Sequence, residues 1–408
     1  MKLRTIIYLL SCLLWTACSD DELQPATADE ATTVPITLTL GQRATRSAPP
    51  GSTDPMNPTV DGEAETEQTN TVRIIAFRCK ETQENVSYSN DENYADSDFV
   101  YDPTNDQIVT CSRATTSAHR LTAHGKLKKM KGYAYRVVAL AYSKTRSLPF
   151  SNHLLADVGE ENLFTLNLAA HTTLDQFEAD LTHEGHDSWT EFRNGQSVVT
   201  HNTRSLSDQL CYAPQLFYGQ CISVNGNKVI HFHEKNAADS ISSTYPLSGV
   251  LYRGMAKVQL TLTIDKLYES GTLQWIGLLA NETRTSVKLS AYDDFLQPFN
   301  PIHTTMKNGT YTLVGFVNTG LSVGSTVTLT AWLLPTATKL AIRTFIRDGL
   351  LLRYAYNYPI EVSELSSAET GTGIISSDVV DNTFYLRRNQ RYKFVGKLST
   401  LTSKTELE

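Results

Sequence analysis

Two stretches of this chain alternate between apolar and polar residues with a period of two, and that rhythm restricts what the chain can fold into. In Val34-Pro35-Ile36-Thr37-Leu38-Thr39-Leu40-Gly41, Val34, Ile36, Leu38 and Leu40 share one face, and Pro35, Thr37, Thr39 and Gly41 share the other. Met255 to Ile264 alternates in the same way through Val258, Leu260, Leu262 and Ile264. Successive side chains of a strand point to opposite faces, so this is the pattern of a half-buried strand. Pro35 lacks the N–H that a ladder needs, which predicts an edge or end position for the first strand.

Further strand signals follow along the chain. They cover Thr71 to Phe77, Gln107 to Thr110, and Tyr133 to Tyr142, whose two apolar faces predict a central place. Pro214 to Gly219 and Lys228 to His233 read as a closing hairpin. Beyond residue 250 come Leu273–Leu279, Ser286–Leu289, Tyr311–Val317, Thr326–Leu334, Arg353–Ile360, Thr383–Leu386 and Arg391–Leu401. A short helix is expected over Thr172 to Leu181, from the spacing of Leu174, Phe177, Ala179 and Leu181. Lys126, Lys128, Lys129 and Lys131 read as a solvated loop between strands. Many short strands with little helix predict an all-β chain of sandwich type. At 408 residues two domains are the default. The expected division is 33–247 and 248–408. No exact repeat stands out, although both halves open on an alternating strand.

The amino terminus reads as an export signal over residues 1–17. Lys2 and Arg4 precede the apolar run Ile6 to Leu14, which is too short for a comfortable permanent span, and Thr16-Ala17-Cys18 follows. A cysteine at that junction is a lipid acceptor, which makes Cys18 the expected anchor to a bacterial membrane and 18–32 an acidic tether. Trp15 departs from the usual leucine of such sites; Cys12 is the alternative, with only a stub of apolar sequence before it.

Residues 42–70 contain almost no apolar side chains and predict a long loop after the first strand, 33–41. Arg43 and Arg46 near its start offer sites to a trypsin-like, arginine-specific protease. Net charge is −7 with 19 % charged residues, so no basic face for nucleic acid is expected. Cys79, Cys111, Cys211 and Cys221 allow three disulfide pairings, and none has C-x-x-C spacing.

Motifs of catalysis are missing from the sequence: there is no G-x-S-x-G, Walker loop, G-x-G-x-x-G or H-E-x-x-H. His183-Glu184-Gly185-His186-Asp187, with His231 and His233 placed on one strand face, is the nearest thing to a metal set. Its polar loop context favours solvated histidines. No cofactor, metal or catalytic residue is expected.

The parts and their order resemble the fimbrillin superfamily of Bacteroidetes type V pili. The resemblance rests on Cys18, followed by an acidic Ser19-Asp20-Asp21-Glu22 like the surface-export tag of such lipoproteins, and on strand Val34–Leu40. It rests further on Ala44-Thr45-Arg46-Ser47, Pro214–Gly219, Arg253–Val258 and Leu386-Arg387-Arg388-Asn389-Gln390-Arg391-Tyr392. It implies two transthyretin-like β-sandwich domains in tandem and a non-enzymatic, surface-exposed subunit of a fimbria. Cleavage after Arg46 would release lipid and first strand together. The vacated groove, lined where Val34, Ile36, Leu38 and Leu40 had been, would take a strand from another subunit, with Tyr392, Phe394 and Leu398 as the donor groups. A chain that is not cleaved would be a fimbrial anchor or a glycan-binding surface lipoprotein. Glycan stacking would need exposed platforms among Trp189, Trp275 and Trp332. A glycoside hydrolase ranks last, because a carboxylate pair among 43 acidic residues is no signal.

Overall fold

The structure, a computed structural model, describes residues 31–40, 69–81, 94–113, 121–143, 164–181, 190–193, 196–200, 216–235, 240–265, 272–280, 283–284, 286–290, 306–307, 312–348, 351–360, 366–367, 379–386, 388 and 391–398. The chain is all-β, and among the described residues the only helical turns are Asp96–Asp98 and Leu174–Gln176. No helix among them is long and apolar enough to cross a membrane.

The principal strands of the first half are β1 Ala31–Leu40, β2 Thr71–Lys80, β3 Val100–Thr110, β4 Leu121–Met130, β5 Tyr133–Tyr142, β6 Phe217–Ile222 and β7 Leu247–Arg253. Those of the second half are β8 Ala256–Thr263, β9 Thr272–Ala280, β10 Thr312–Leu321, β11 Thr326–Leu333, β12 Leu340–Asp348, β13 Leu351–Pro359 and β14 Arg391–Lys397.

The two halves repeat one pairing scheme. β1 runs parallel to β7 and antiparallel to β4, and β8 runs parallel to β14 and antiparallel to β11. β2 pairs with β3 and β5, as β9 pairs with β10 and β12. β5 pairs with β6, as β12 pairs with β13. The halves differ at one joint. β6 also pairs with β7, which merges the first half into a single sheet of order β3-β2-β5-β6-β7-β1-β4 with Ser112–Arg113 at its end. In the second half β14 pairs on that side with Ser366–Ser367.

Three apolar cores follow from this. In the first, β1, β4 and β7 face β2, β5 and β6 through residues such as Leu38, Ile74, Val137 and Leu251. In another, β8, β11 and β14 face β9 and β12 through Leu260, Leu329, Phe394, Ile276 and Ile342. The third explains why β5 is apolar on both faces. Its residues Ala134, Val138, Leu140 and Tyr142, with Ile75 and Phe77 of β2, pack under Phe164, Phe177 and Ala179. Met255, Val287, Leu289, Trp332 and Leu334 of the second half join that same core, and Ser286–Lys288 pairs with Glu178–Leu181.

Several expectations are corrected. The first strand is an interior strand, with β4 on one side and β7 on the other. Pro35 is tolerated because pairing with β7 begins only at Ile36, so no N–H is asked of residue 35 there. Thr172–Leu181 is one 3-10 turn, Leu174–Gln176, then strand Glu178–Leu181. Residues 228–233 form no hairpin; Ile230 makes a lone bridge to Tyr135. The lysines 126, 128 and 129 belong to β4, and Lys129 is fully buried. Leu247–Arg253 pairs with β1 and β6, so the first sheet runs on past residue 248 to Arg253.

Candidate functional site: the seat of the first strand

β1 lies in a seat built by two strands distant in sequence. Its antiparallel wall is β4, in register from Ala31↔Met130 to Leu40↔Leu121, and its parallel wall is β7, from Ile36↔Leu247 to Leu40↔Leu251. Val34, Ile36, Leu38 and Leu40 are each at most 1 % exposed, as their alternation predicts. Fully burying side chains of this size is worth about 1.5–3 kcal/mol apiece, so the four together contribute on the order of 10 kcal/mol. That is comparable with the whole stability of a typical domain. Emptying the seat would expose two unpaired strand edges and an apolar floor.

Glycines shape the seat. A Cβ at Gly249 would lie 2.9 Å from Leu38 Cδ2 and 2.8 Å from the Gln220 carbonyl, so the leucine occupies the space a side chain would take. A Cβ at Gly125 would run into Ile74 Cδ1.

The outer edge of β4 is closed by side chains that imitate a neighbouring strand. The Asn105 amide donates to Lys128 O at 3.1 Å while Lys128 N–H donates to Asn105 Oδ1 at 2.8 Å. Gln107 does the same with both main-chain groups of Lys126. Both amides come from β3, at the opposite end of the sheet, so the sheet curls until its two ends meet.

A charged cluster closes one end of the seat, near Thr32↔Lys129. Lys129 Nζ donates to His231 O at 2.9 Å, and His231 Nδ1 lies 2.9 Å from Glu81 Oε1. Burial pushes the Lys129 ammonium down to about 8, against the opposing pull of Glu234 and Glu81. Burial pushes the Glu234 carboxyl up, and Lys129 and His231 pull it back down.

The remaining expected site residues fall as follows. Tyr392, Phe394 and Leu398 are at most 3 % exposed and belong to the core of the second half. Phe394 packs on Phe384 with ring centroids 5.3 Å apart. Cys18, Arg43, Arg46, Cys211, the 183–187 cluster and Trp189 lie outside the described residues, as does nearly all of 42–70. His231 and His233 share no strand: the first is buried against Glu81, and the second is exposed. Among the described residues no group of three or more His, Cys, Asp or Glu could hold a metal. Cys79, Cys111 and Cys221 are free thiols.

Trp332 is buried rather than a surface platform, with Arg253 4.6 Å and Lys257 5.0 Å from its ring centroid. Arg388, just ahead of β14, reaches back into the first half. Its Nη2 donates to Tyr218 O at 3.0 Å and Tyr252 O at 3.2 Å, and its guanidinium lies 3.8 Å from the Tyr218 ring centroid.

No family model matches the chain, and no curated protein does. Solved structures do. One similar structure is the fimbrial anchor protein Mfa2 from Porphyromonas gingivalis, 12% identical over 76% of each chain with a TM-score of 0.35. Another is the C-terminally truncated tip fimbrial protein Mfa3 from the same organism, 12% identical over 89% of this chain and 94% of that one, with a TM-score of 0.32. A third is a fimbrial assembly protein from Parabacteroides distasonis, 10% identical over 90% of this chain and 91% of that one, with a TM-score of 0.33.

The walls of the seat, Leu247, Gly249 and Leu251, were not anticipated as functional residues. A signal for them exists in the sequence: an apolar-x-Gly-x-Leu spacing at 247–251 that recurs at 394–398.

Proposed function

We propose that this chain is a non-enzymatic structural subunit of a cell-surface fimbria or pilus, serving adhesion. It is secreted as an outer-membrane lipoprotein precursor held by lipid on Cys18. An arginine-specific protease cuts it after Arg46, with Arg43 as the alternative, and it joins other pilus subunits by exchange of a donor strand. The observation that carries this reading is β1 itself. One segment next to the amino terminus supplies four buried side chains to the first core and two main-chain ladders. The apolar-poor sequence 42–70 then follows it. Cutting that connection would leave β1 held by noncovalent contacts alone, and an emptied seat is a strand-addition site. Head-to-tail filling of such seats does not close on itself and gives a fibre.

The same ladders support a second reading. β1 is paired along both edges and costs much to remove, as suits an anchor or surface lipoprotein that keeps its first strand.

Limited digestion of the full chain with an arginine-specific protease separates them. The fimbrial reading expects a cut at Arg46, loss of the 31–40 segment and a ladder of heat-resistant oligomers, all blocked in the double variant Arg43→Ala, Arg46→Ala. A cut product that keeps β1 and stays monomeric would overturn it.

A further inference from the structure

The seat of β1 has a counterpart inside the same chain. β1 and β8 occupy equivalent places in the two halves, each between a parallel last strand and an antiparallel fourth strand. Aligned by that pairing, Val34-Pro35-Ile36-Thr37-Leu38-Thr39-Leu40 stands over Val258-Gln259-Leu260-Thr261-Leu262-Thr263-Ile264. The walls match as well. Leu38 pairs with Gly249, and Leu262 pairs with Gly396. Ile36 pairs with Leu247, and Leu260 pairs with Phe394. The two last strands read Leu247-Ser248-Gly249-Val250-Leu251 and Phe394-Val395-Gly396-Lys397-Leu398. Guest and wall are therefore two different patterns: a guest carries leucine where a wall carries glycine.

Resting on the strand-exchange reading above, we propose that the β1 seat selects an extended segment of another chain with the guest pattern. That segment has aliphatic residues at four alternate positions, threonine-like residues between them, and a leucine over Gly249. It runs parallel to β7. The segment 391–398 has the wall pattern and does not serve as that guest. Laid in the seat with Tyr392, Phe394 and Leu398 in the places of Val34, Ile36 and Leu40, it would set Gly396 against Gly249 and leave the Leu38 space empty. Such a void forfeits both transfer and packing energy.

The test uses the full chain with a recognition site for a sequence-specific protease placed over residues 43–46, so that release of β1 does not depend on natural processing. After cutting, fluorescent peptides are added at matched concentration and followed by anisotropy. Peptides 32–40 and 256–264 should both enter, with Kd values within about tenfold of each other. The 256–264 peptide carrying Leu262→Gly should bind at least about 30-fold more weakly, because a truncated core leucine loses that much. Peptide 390–398 should not compete. Equal binding by 390–398, or no loss from Leu262→Gly, overturns the proposal. If only 32–40 enters, the proposal falls and strand exchange stands. If not even 32–40 enters, strand exchange falls and takes the proposal with it.

Discussion

The ammonium of Lys129, no part of which reaches solvent, is tied to the main-chain carbonyl of His231 by a 2.9 Å hydrogen bond. Burial lowers its pKa from 10.5 to about 8. Between those values the unfolded chain binds the proton that the folded chain has lost, so this group makes stability rise with pH across that window. Below about pH 8 its full burial cost is present. Urea midpoints measured from pH 7 to 10 for the natural chain and for Lys129→Met should diverge in favour of the natural chain as pH rises. A constant gap would contradict the buried, charged lysine.

Leu38 and Leu262 fill equivalent spaces in separate cores. Each replaced by alanine should lose about 2–5 kcal/mol, and the double variant should be additive within about 0.5 kcal/mol. Denaturant titration reads both. A cost below about 1 kcal/mol at Leu38 would mean that its seat collapses onto the gap.

Asn105 donates to Asp102 Oδ2 at 2.8 Å as well as to Lys128 O. Asn105→Asp removes both donations and sets two carboxylates side by side. The expected cost is about 2–3 kcal/mol at neutral pH. Like charges raise the folded pKa, so the penalty should shrink as pH falls toward about 4. Thermal melts at pH 7 and pH 4 decide it; a penalty that grows in acid would refute the side-by-side placement.

Arg388 fastens the approach to β14 onto Tyr218 and Tyr252, which face each other across the β6–β7 ladder. Lysine has a single nitrogen and no planar group to lay on the Tyr218 ring, so Arg388→Lys should cost about 2 kcal/mol. Amide exchange in β6 and β7 should also quicken. Unchanged exchange there would show that the guanidinium does not hold those two strands.

Local alternation was enough to place β1 and β8 and to name the four buried residues of the first strand, and an apolar run on both faces placed β5. What it could not reach was non-local. The partner strand β7 lies some two hundred residues beyond β1 and begins its pairing at Ile36, so Pro35 misleadingly suggested an edge. β4 was hidden by its lysines: Leu121, Ala123 and Leu127 point inward, but Lys129 shares their face and blurs the pattern. The helix expected at 172–181 failed because Phe177, Ala179 and Leu181 follow a period of two, while only Leu174, Phe177 and Leu181 fit helical spacing, and the sheet decided. The likeness of the 247–251 and 394–398 segments takes its meaning from non-local partners, Leu38 opposite Gly249 and Leu262 opposite Gly396.

The parallel run of β1 beside β7 carries a direction. A foreign strand that keeps this ladder has to thread in with the same sense as β1, since reversing it would discard the register from Ile36↔Leu247 to Leu40↔Leu251. Every junction made this way points the same way along a growing fibre. A fibre built by the proposed exchange would therefore have a distinguishable front and rear, and its two ends would offer different surfaces: an open seat at one and an unused guest strand at the other.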